Sequence, residues 1–213
     1  MEFLSYDPWA NVTSRNGYLA DELREGLHKT IRRNNPQLAI RIAYEMYITS
    51  EQLEDMLWRR LAIMAVEDIG LADPMVPTVI ETLERMRKMH PYNDIDRASY
   101  FAQAIRVLCR TKKDLTIGIV MGIVRKEFER GILPTIPEEA YDMHCKTGRE
   151  RGKSLKDFLM EGNVVDPVSE EYESDEYKDA EKTLRAMLEE ELAGTEEKKE
   201  LPVPPYELQP YFI

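Results

Sequence analysis

The sequence has few of the residues that build most catalytic and metal centres. Its two cysteines, Cys109 and Cys145, lie in different segments without a CxxC pair, which argues against a disulfide framework or a thiolate metal site. Its three histidines, His28, His90 and His144, are far apart in the chain. His144 and Cys145 are adjacent, so on a helix their side chains would diverge by about 100° and could not share a metal. We therefore expect no catalytic, cofactor-binding or metal-ligating residues, and no enzyme activity.

Long apolar runs are also lacking. The longest, Ile117 to Val124, has eight residues, two of them glycine, whereas a membrane-spanning helix needs about 20 apolar residues. The first residues, Met1 to Asp7, lack the positive and apolar segments of an export signal. Free cysteines without a pairing pattern are typical of a reducing compartment. We expect a soluble, cytoplasmic protein with no membrane contact.

Positive charge is in deficit, since the net charge is −11. Acids dominate from Ser169 to Glu200, whereas the chain up to residue 165 mixes both signs. An acidic chain repels phosphates at long range, so nucleic-acid binding would need a local basic face. The sequence offers two such faces, and they define an alternative function: Arg32 and Arg33 with Arg59 and Arg60, or Lys146, Arg149, Arg151 and Lys153.

The residues that are present predict an all-α protein, a multi-helix bundle followed by an extended C-terminal tail. Apolar residues recur every three to four positions, and Ser, Asn, Asp, Pro and Gly stand at the expected helix ends. The predicted helices run from about Tyr18 to Arg33, Asn35-Pro36 to beyond Met46, Leu53 to Ile69, Asp73-Pro74 to His90, Asp94 to Arg110, Asp114 to Arg130, Glu138 to Arg151, Ser154 to Gly162, and Tyr177 to Leu192.

The segment Leu115 to Val124 is ambiguous, because its β-branched residues favour a strand. It follows Asp114, a good helix cap, and continues into the polar run that ends at Gly131. A lone strand among helices would also have no partner. We therefore predict a helix here.

The run from Gly148 to Ser154 resembles a phosphate-binding loop. It has three residues between its glycines where that motif has four, and no predicted strand precedes it. A glycine that ends one helix, followed by a serine that caps the next, explains the same residues. We therefore do not assign nucleotide binding to it.

The segment from Trp58 to Pro74 carries the most informative pattern. Arg60 and Glu67 are seven residues apart and lie on one helix face, with Met64 between them. Two turns of helix separate them by about 10.5 Å, too far for a direct ion pair. Each charge must therefore find a partner on a neighbouring helix or on another subunit, unless both are ordinary surface charges.

This segment resembles the C-terminal domain of the RarA/MgsA family of AAA+ ATPases, which are relatives of clamp loaders. The family pattern Arg-Arg-Leu-x-x-x-Ala-x-Glu-Asp-Ile-Gly-x-Ala-Asp-Pro is matched from Arg59 to Pro74. Leu27 to Ala39 resembles the segment that precedes it in the family, with Asn35 in place of the usual acid. The resemblance covers residues 18 to 110 well and 111 to 165 loosely, where Ala140, Asp142, His144 and Gly148 match an Ala-x-Asp-x-His-x-x-x-Gly pattern.

The resemblance implies a fold like the clamp-loader collar over residues 18–165, after an arm of residues 1–17 and before an acidic, partly helical tail of residues 166–200. The family's helical domain follows an ATPase module and forms tetramers, but this chain has no Walker motifs. The implied role is an oligomerisation or collar subunit of DNA replication or repair that self-associates and docks on an AAA+ ATPase or a sliding clamp, with DNA contact allowed but not required. The residues expected at the oligomer or partner interface are Arg59, Arg60, Glu67, Asp68, Gly70, Asp73 and Pro74.

The C-terminus carries a second candidate interaction site. A Pro-rich linker begins the segment of residues 201–213 and precedes an apolar peptide with a glutamine, formed by Leu208, Gln209, Tyr211, Phe212 and Ile213. This peptide resembles the short motifs that dock into sliding clamps, although Pro210 departs from their pattern. The alternative is that the peptide folds back onto the protein's own helices.

Overall fold

The computed structural model describes residues 9–195. Within this range the protein is all-helical, as predicted. The chain divides into two compact units, and the boundary between them along the sequence falls between Leu133 and Pro134. This boundary lies inside the range 18–165 that the sequence assigns to one domain. The C-terminal apolar peptide lies outside the described residues.

Among residues 9–133, the described part of the first unit, there are six α-helices. They are α1 (Ala20–Arg32), α2 (Pro36–Thr49), α3 (Glu51–Met64), α4 (Val76–Arg87), α5 (Arg97–Arg110) and α6 (Thr116–Glu129). A π-helical turn (Ala65–Ile69) and a 3-10 turn (Gly70–Ala72) extend α3.

The first five helices pack around one hydrophobic core. The fully buried side chains include Leu27, Ile31, Met46, Leu57, Leu61, Met64, Ile80, Phe101, Ile105 and Leu108. These residues recur every three to four positions along their helices, so each helix turns one apolar stripe toward the others.

Side chains cap two helices, and the sequence predicts one of these helix starts, at Asn35-Pro36. The side chain of Asn35 accepts a hydrogen bond from the backbone N–H of Leu38, and Pro36 follows it at the first helical position. The hydroxyl of Ser50 accepts one from the N–H of Leu53. Both bonds satisfy backbone donors that a helix start leaves without an intrahelical partner.

Asp73 and Pro74 do not start α4 as predicted. The Asp73 carboxylate accepts a hydrogen bond from the N–H of Met75, and the helix begins at Val76, with Pro77 in its first turn. Proline also suits the first turn of a helix, because its missing N–H is not needed there. The helix start therefore lies about two residues later than the sequence indicates.

Charged side chains lie inside this core. Glu54 is fully buried, and its carboxylate accepts hydrogen bonds from Arg97 Nε at 3.0 Å and from Arg97 Nη2 at 2.9 Å. Arg87 Nη1 lies 3.0 Å from Glu54 Oε2, so one carboxylate pairs with two buried guanidinium groups. This ion cluster joins α3, α4 and α5.

The second unit, as far as it is described, comprises residues 134–195. Its helices are α7 (Lys146–Glu150), α8 (Leu155–Asp157, continued by a π-helical turn at Phe158–Gly162) and α9 (Asp175–Ala193), with a 3-10 turn at Glu138–Ala140. The predicted exposed helix from Tyr177 to Leu192 is confirmed by α9. The single helix predicted from Glu138 to Arg151 is wrong, since residues 141–145 form turns instead.

Candidate functional site

Asp68 lies inside the first unit. The π-helical turn after α3 directs its carboxylate toward α1, where His28 Nε2 lies 3.0 Å from Oδ2 and Arg32 Nη2 lies 2.7 Å from Oδ1. Burial disfavours the charged carboxylate, but the hydrogen bonds from His28 and Arg32 outweigh burial and lower the pKa of Asp68 to about 2. Asp68 therefore joins α3 to α1 within one chain.

Arg59, Arg60 and Glu67 lie nearer the surface. Arg60 Nη2 is 3.7 Å from Glu25 Oε1 on α1, so this arginine has a partner on a neighbouring helix of the same chain. The exposed Arg59 donates from Nε to the backbone carbonyl of Asp55. Glu67 is half-buried. The structure thus separates the predicted interface residues into the buried Asp68 and a group that solvent reaches.

The turn that follows Asp68 meets the start of α6. Gly70 has φ +51° and ψ −131°, and a Cβ at this position would lie 3.2 Å from the Asp114 carbonyl oxygen. The N–H of Asp114 donates to the carbonyl of Asp68 at 2.8 Å. A residue with a side chain rarely adopts this backbone conformation, so glycine allows the close approach. Gly70 and Asp68 thereby fix where α6 leaves the core.

The side chains of α6 are mostly apolar, yet the helix has no buried residue. Its packing against the rest of the first unit is confined mainly to the π-helical turn after α3. Large apolar side chains are exposed on several sides of it and beyond its end, namely Leu115, Ile117, Ile119, Val120, Met121, Ile123, Phe128, Ile132 and Leu133. We call these nine residues the α6 surface.

The exposure of the α6 surface is unusual for its composition. A helix that is apolar on most sides is normally buried, and contiguous apolar patches on a protein surface mark interaction sites. Ile119 is 64% exposed and Ile123 is 53% exposed. Leu71, 86% exposed, lies in the turn at the base of the helix. The turn that contains Gly70, a predicted interface residue, therefore lies next to the α6 surface.

Two glycines flatten one side of α6. Gly118 and Gly122 are one helical turn apart, and a Cβ added at either would meet no atom within 4 Å. Small residues at this spacing allow a second helix to approach the backbone closely. The sequence suggested a helix here, but not that it is exposed.

The phosphate-loop lookalike in the second unit is a helix stop followed by a helix cap, as the simpler interpretation predicts. Gly152 has φ +77° after the end of α7, and Ser154 and Asp157 form a reciprocal capping box. Lys153 Nζ is 3.0 Å from Glu161 Oε2. The residues that would hold a phosphate thus have local structural roles.

The motif residues Asp142, His144 and Gly148 form one tight turn. The Asp142 carboxylate accepts hydrogen bonds from the N–H of His144 at 2.8 Å and from its ring Nδ1 at 3.0 Å, and these bonds lower the pKa of Asp142. A Cβ on Gly148 would lie 1.8 Å from the Asp142 carbonyl oxygen. Glycine is therefore obligatory at this position, and the pattern has a structural reason.

Other chemistry is scarce in the described part of the chain. Within residues 9–195, no three His, Cys, Asp or Glu side chains lie close enough together to hold a metal ion. Burial raises the pKa of the Cys109 thiol, which disfavours the reactive thiolate. No helix among these residues is long and apolar enough to cross a bilayer.

Comparison of the sequence with known protein families gives no match, and comparison with curated proteins gives none either.

Proposed function

We propose that this protein is a non-catalytic helical assembly protein that self-associates through the α6 surface. The observation that carries this proposal is an apolar helix, α6, that contributes no residue to the core of its own chain. Burying an exposed Ile, Leu or Phe side chain stabilises a complex by roughly 1.5 to 3 kcal/mol. The α6-surface residues on the face that meets a partner would lose their remaining solvent exposure, which favours association.

A second copy of the chain is the occupant that the helix fits best. In an antiparallel pair of α6 helices that packs on the glycine face, with its centre level with Val120, Gly118 lies opposite Gly122, and Ile119 and Met121 flank them. The same register brings the positive Lys126 toward the negative Asp114 of the second copy. Such a two-fold interface is self-complementary, because each contact occurs twice.

The wider role follows from the resemblance to the helical domain of the RarA/MgsA family. That resemblance supports a collar-type subunit of DNA replication or repair, a tetramer, and docking on an AAA+ ATPase or a sliding clamp. The α6 surface supports the self-association step of this role. Gly70, Asp73 and Pro74 lie in the turn that adjoins its base or directly after it, where they can contribute to the same interface.

Light scattering coupled to gel filtration tests the self-association. We expect the wild-type protein at tens of micromolar to have a mass two or four times the 24.9 kDa of one chain. Replacing Ile119 and Met121 together by Glu places charges in the interface, so this variant should elute with the mass of a single chain.

The matched control replaces Met89 and Ile95 by Glu. These residues are 79% and 89% exposed and lie outside the α6 surface, so this variant should keep the wild-type mass. A single-chain mass for the wild-type protein at 100 micromolar would contradict the proposal.

A further inference from the structure

A groove runs between the second half of α5 and the turn that precedes α4. Its volume is about 460 Å³. It is lined by Ala72, Asp73, Gln103, Arg106, Val107, Arg110, Thr111 and Lys112. Three of these residues are cations, and all three are exposed.

These cations differ from most of the basic residues on the two faces that the sequence suggests. In residues 9–195, no carboxylate forms an ion pair with Arg106, Arg110 or Lys112. The two basic faces suggested by the sequence are largely neutralised in comparison: Arg32 pairs with Asp68, Arg60 with Glu25, Lys146 with Glu150, Arg151 with Glu138, and Lys153 with Glu161.

The stretch of sequence that forms one wall of the groove also carries charges of one sign only, all of them positive. From Arg97 to Lys113 the chain has five basic residues and no acid, although the whole chain carries a net charge of −11. Asp73 on the opposite wall leaves an excess of two positive charges among the lining residues.

The groove lies at the carboxyl end of α5, where backbone carbonyls would normally repel an anion. Here Lys113 neutralises that end, because its Nζ donates to the carbonyls of Leu108 at 2.7 Å, Cys109 at 3.2 Å and Thr111 at 2.6 Å. The three groove cations are therefore not needed to cap the helix, and they remain available to a ligand.

We propose that this groove binds successive phosphates of a single nucleic-acid strand. Arg106 and Arg110 are one turn, about 6 Å, apart on the same helix face, and Lys112 lies just beyond the end of the helix. Successive cations along the groove can therefore each contact a phosphate of one strand. Guanidinium groups also match phosphate oxygens in a two-pronged geometry. The inference goes beyond the proposed function, since it uses no residue of the α6 surface.

Fluorescence anisotropy with a labelled 20-nucleotide single-stranded DNA tests the groove. Three phosphate contacts give a slope of about −2 for log affinity against log salt concentration. We therefore expect the affinity of the wild-type protein to fall about 20-fold between 50 and 200 mM salt. Replacing Arg106, Arg110 and Lys112 by Gln should weaken binding at 50 mM salt at least tenfold and flatten the slope.

The control removes equal charge at cations that already have acidic partners. Lys29, Arg85 and Lys88 are exposed and pair with Glu25, Glu81 and Glu84, so replacing all three by Gln should change the affinity less than threefold. Equal weakening by both triple variants would overturn the proposal, as would absence of DNA binding by the wild type at 50 mM salt. Sodium triphosphate binding in calorimetry, without binding of the oligonucleotide, would assign the groove to a small anion and would also overturn it.

Discussion

The five-helix core formed by α1 to α5 differs from the helix α6 in which side chains are buried. The core buries a charged side chain, and α6 exposes apolar ones. In the core, the carboxylate of Glu54 is completely buried, whereas in α6 the aliphatic side chain of Ile119 is 64% exposed. Glu54 is tolerated because two arginines surround it, and Ile119 is exposed because no residue between 9 and 195 covers it. Burial in the described part of the protein is therefore decided by the partners that the fold supplies, and α6 is an element without a partner among these residues.

The strongest way to break the core is to remove the charge of Glu54. Glu54→Gln leaves the buried Arg97 without its counter-ion, whereas Arg87 keeps Asp55 and Glu84, and the change should destabilise the protein by about 3 kcal/mol. Urea unfolding measures this change. Glu81→Gln removes an exposed carboxylate that pairs with Arg85 and should change the stability by less than about 1 kcal/mol. If the two variants were equally stable, the ion cluster would not hold α3, α4 and α5 together.

Acid should weaken the link between α1 and the turn after α3. The pKa of Asp68 is lowered to about 2 in the folded state, so the stabilisation from its charged form is present above about pH 4 and is lost as the pH falls toward 2. The shift corresponds to roughly 2 kcal/mol. We expect the free energy of unfolding of the wild type to fall by that much more than that of Asp68→Asn over this interval. Parallel pH curves for the two proteins would contradict the role given to Asp68.

Substitutions of two glycines compare the base of α6, which contacts the core, with its exposed body. The quantity compared is the change in the free energy of unfolding. Gly70→Ala forces a positive φ on a residue with a side chain and crowds the Asp114 carbonyl, which should cost about 1 to 3 kcal/mol. Gly118→Ala meets no neighbour in one chain and raises helix propensity, so at low concentration it should be neutral or stabilising by up to about 1 kcal/mol. Thermal or urea unfolding at one micromolar compares them, and a reversed order would be inconsistent with the structure.

The local features of the fold could be predicted from the sequence, because their causes are local. Asn35 and Ser154 cap helices through bonds to residues three positions away, and the helix starts that they mark are confirmed. The break in the helix predicted from Glu138 to Arg151 could not be predicted from local features. Its break depends on the contact between Gly148 and the Asp142 backbone, and no periodic pattern expresses that contact.

Contacts between residues distant in the chain are only weakly indicated by the sequence. Glu54 lies on the same helix face as Leu57 and Leu61, which indicates a core position, but its partners Arg87 and Arg97 are too distant in sequence to be identified. The apolar pattern of α6 is equally typical of a buried helix. Its exposure depends on how the chain leaves the core at Gly70 and Asp114, which only the folded structure provides.

Hydrogen exchange at two protein concentrations tests the central claim most directly, namely that α6 is completed by a second copy of the chain. A helix of 14 residues with little tertiary packing is only marginally stable, so its amides should exchange rapidly at a concentration where the protein is a single chain. At 100 micromolar the amides from Thr116 to Glu129 should become protected at least tenfold, whereas those of α5, inside the core, should exchange equally slowly at both concentrations. Equal exchange of α6 at the two concentrations would contradict the claim.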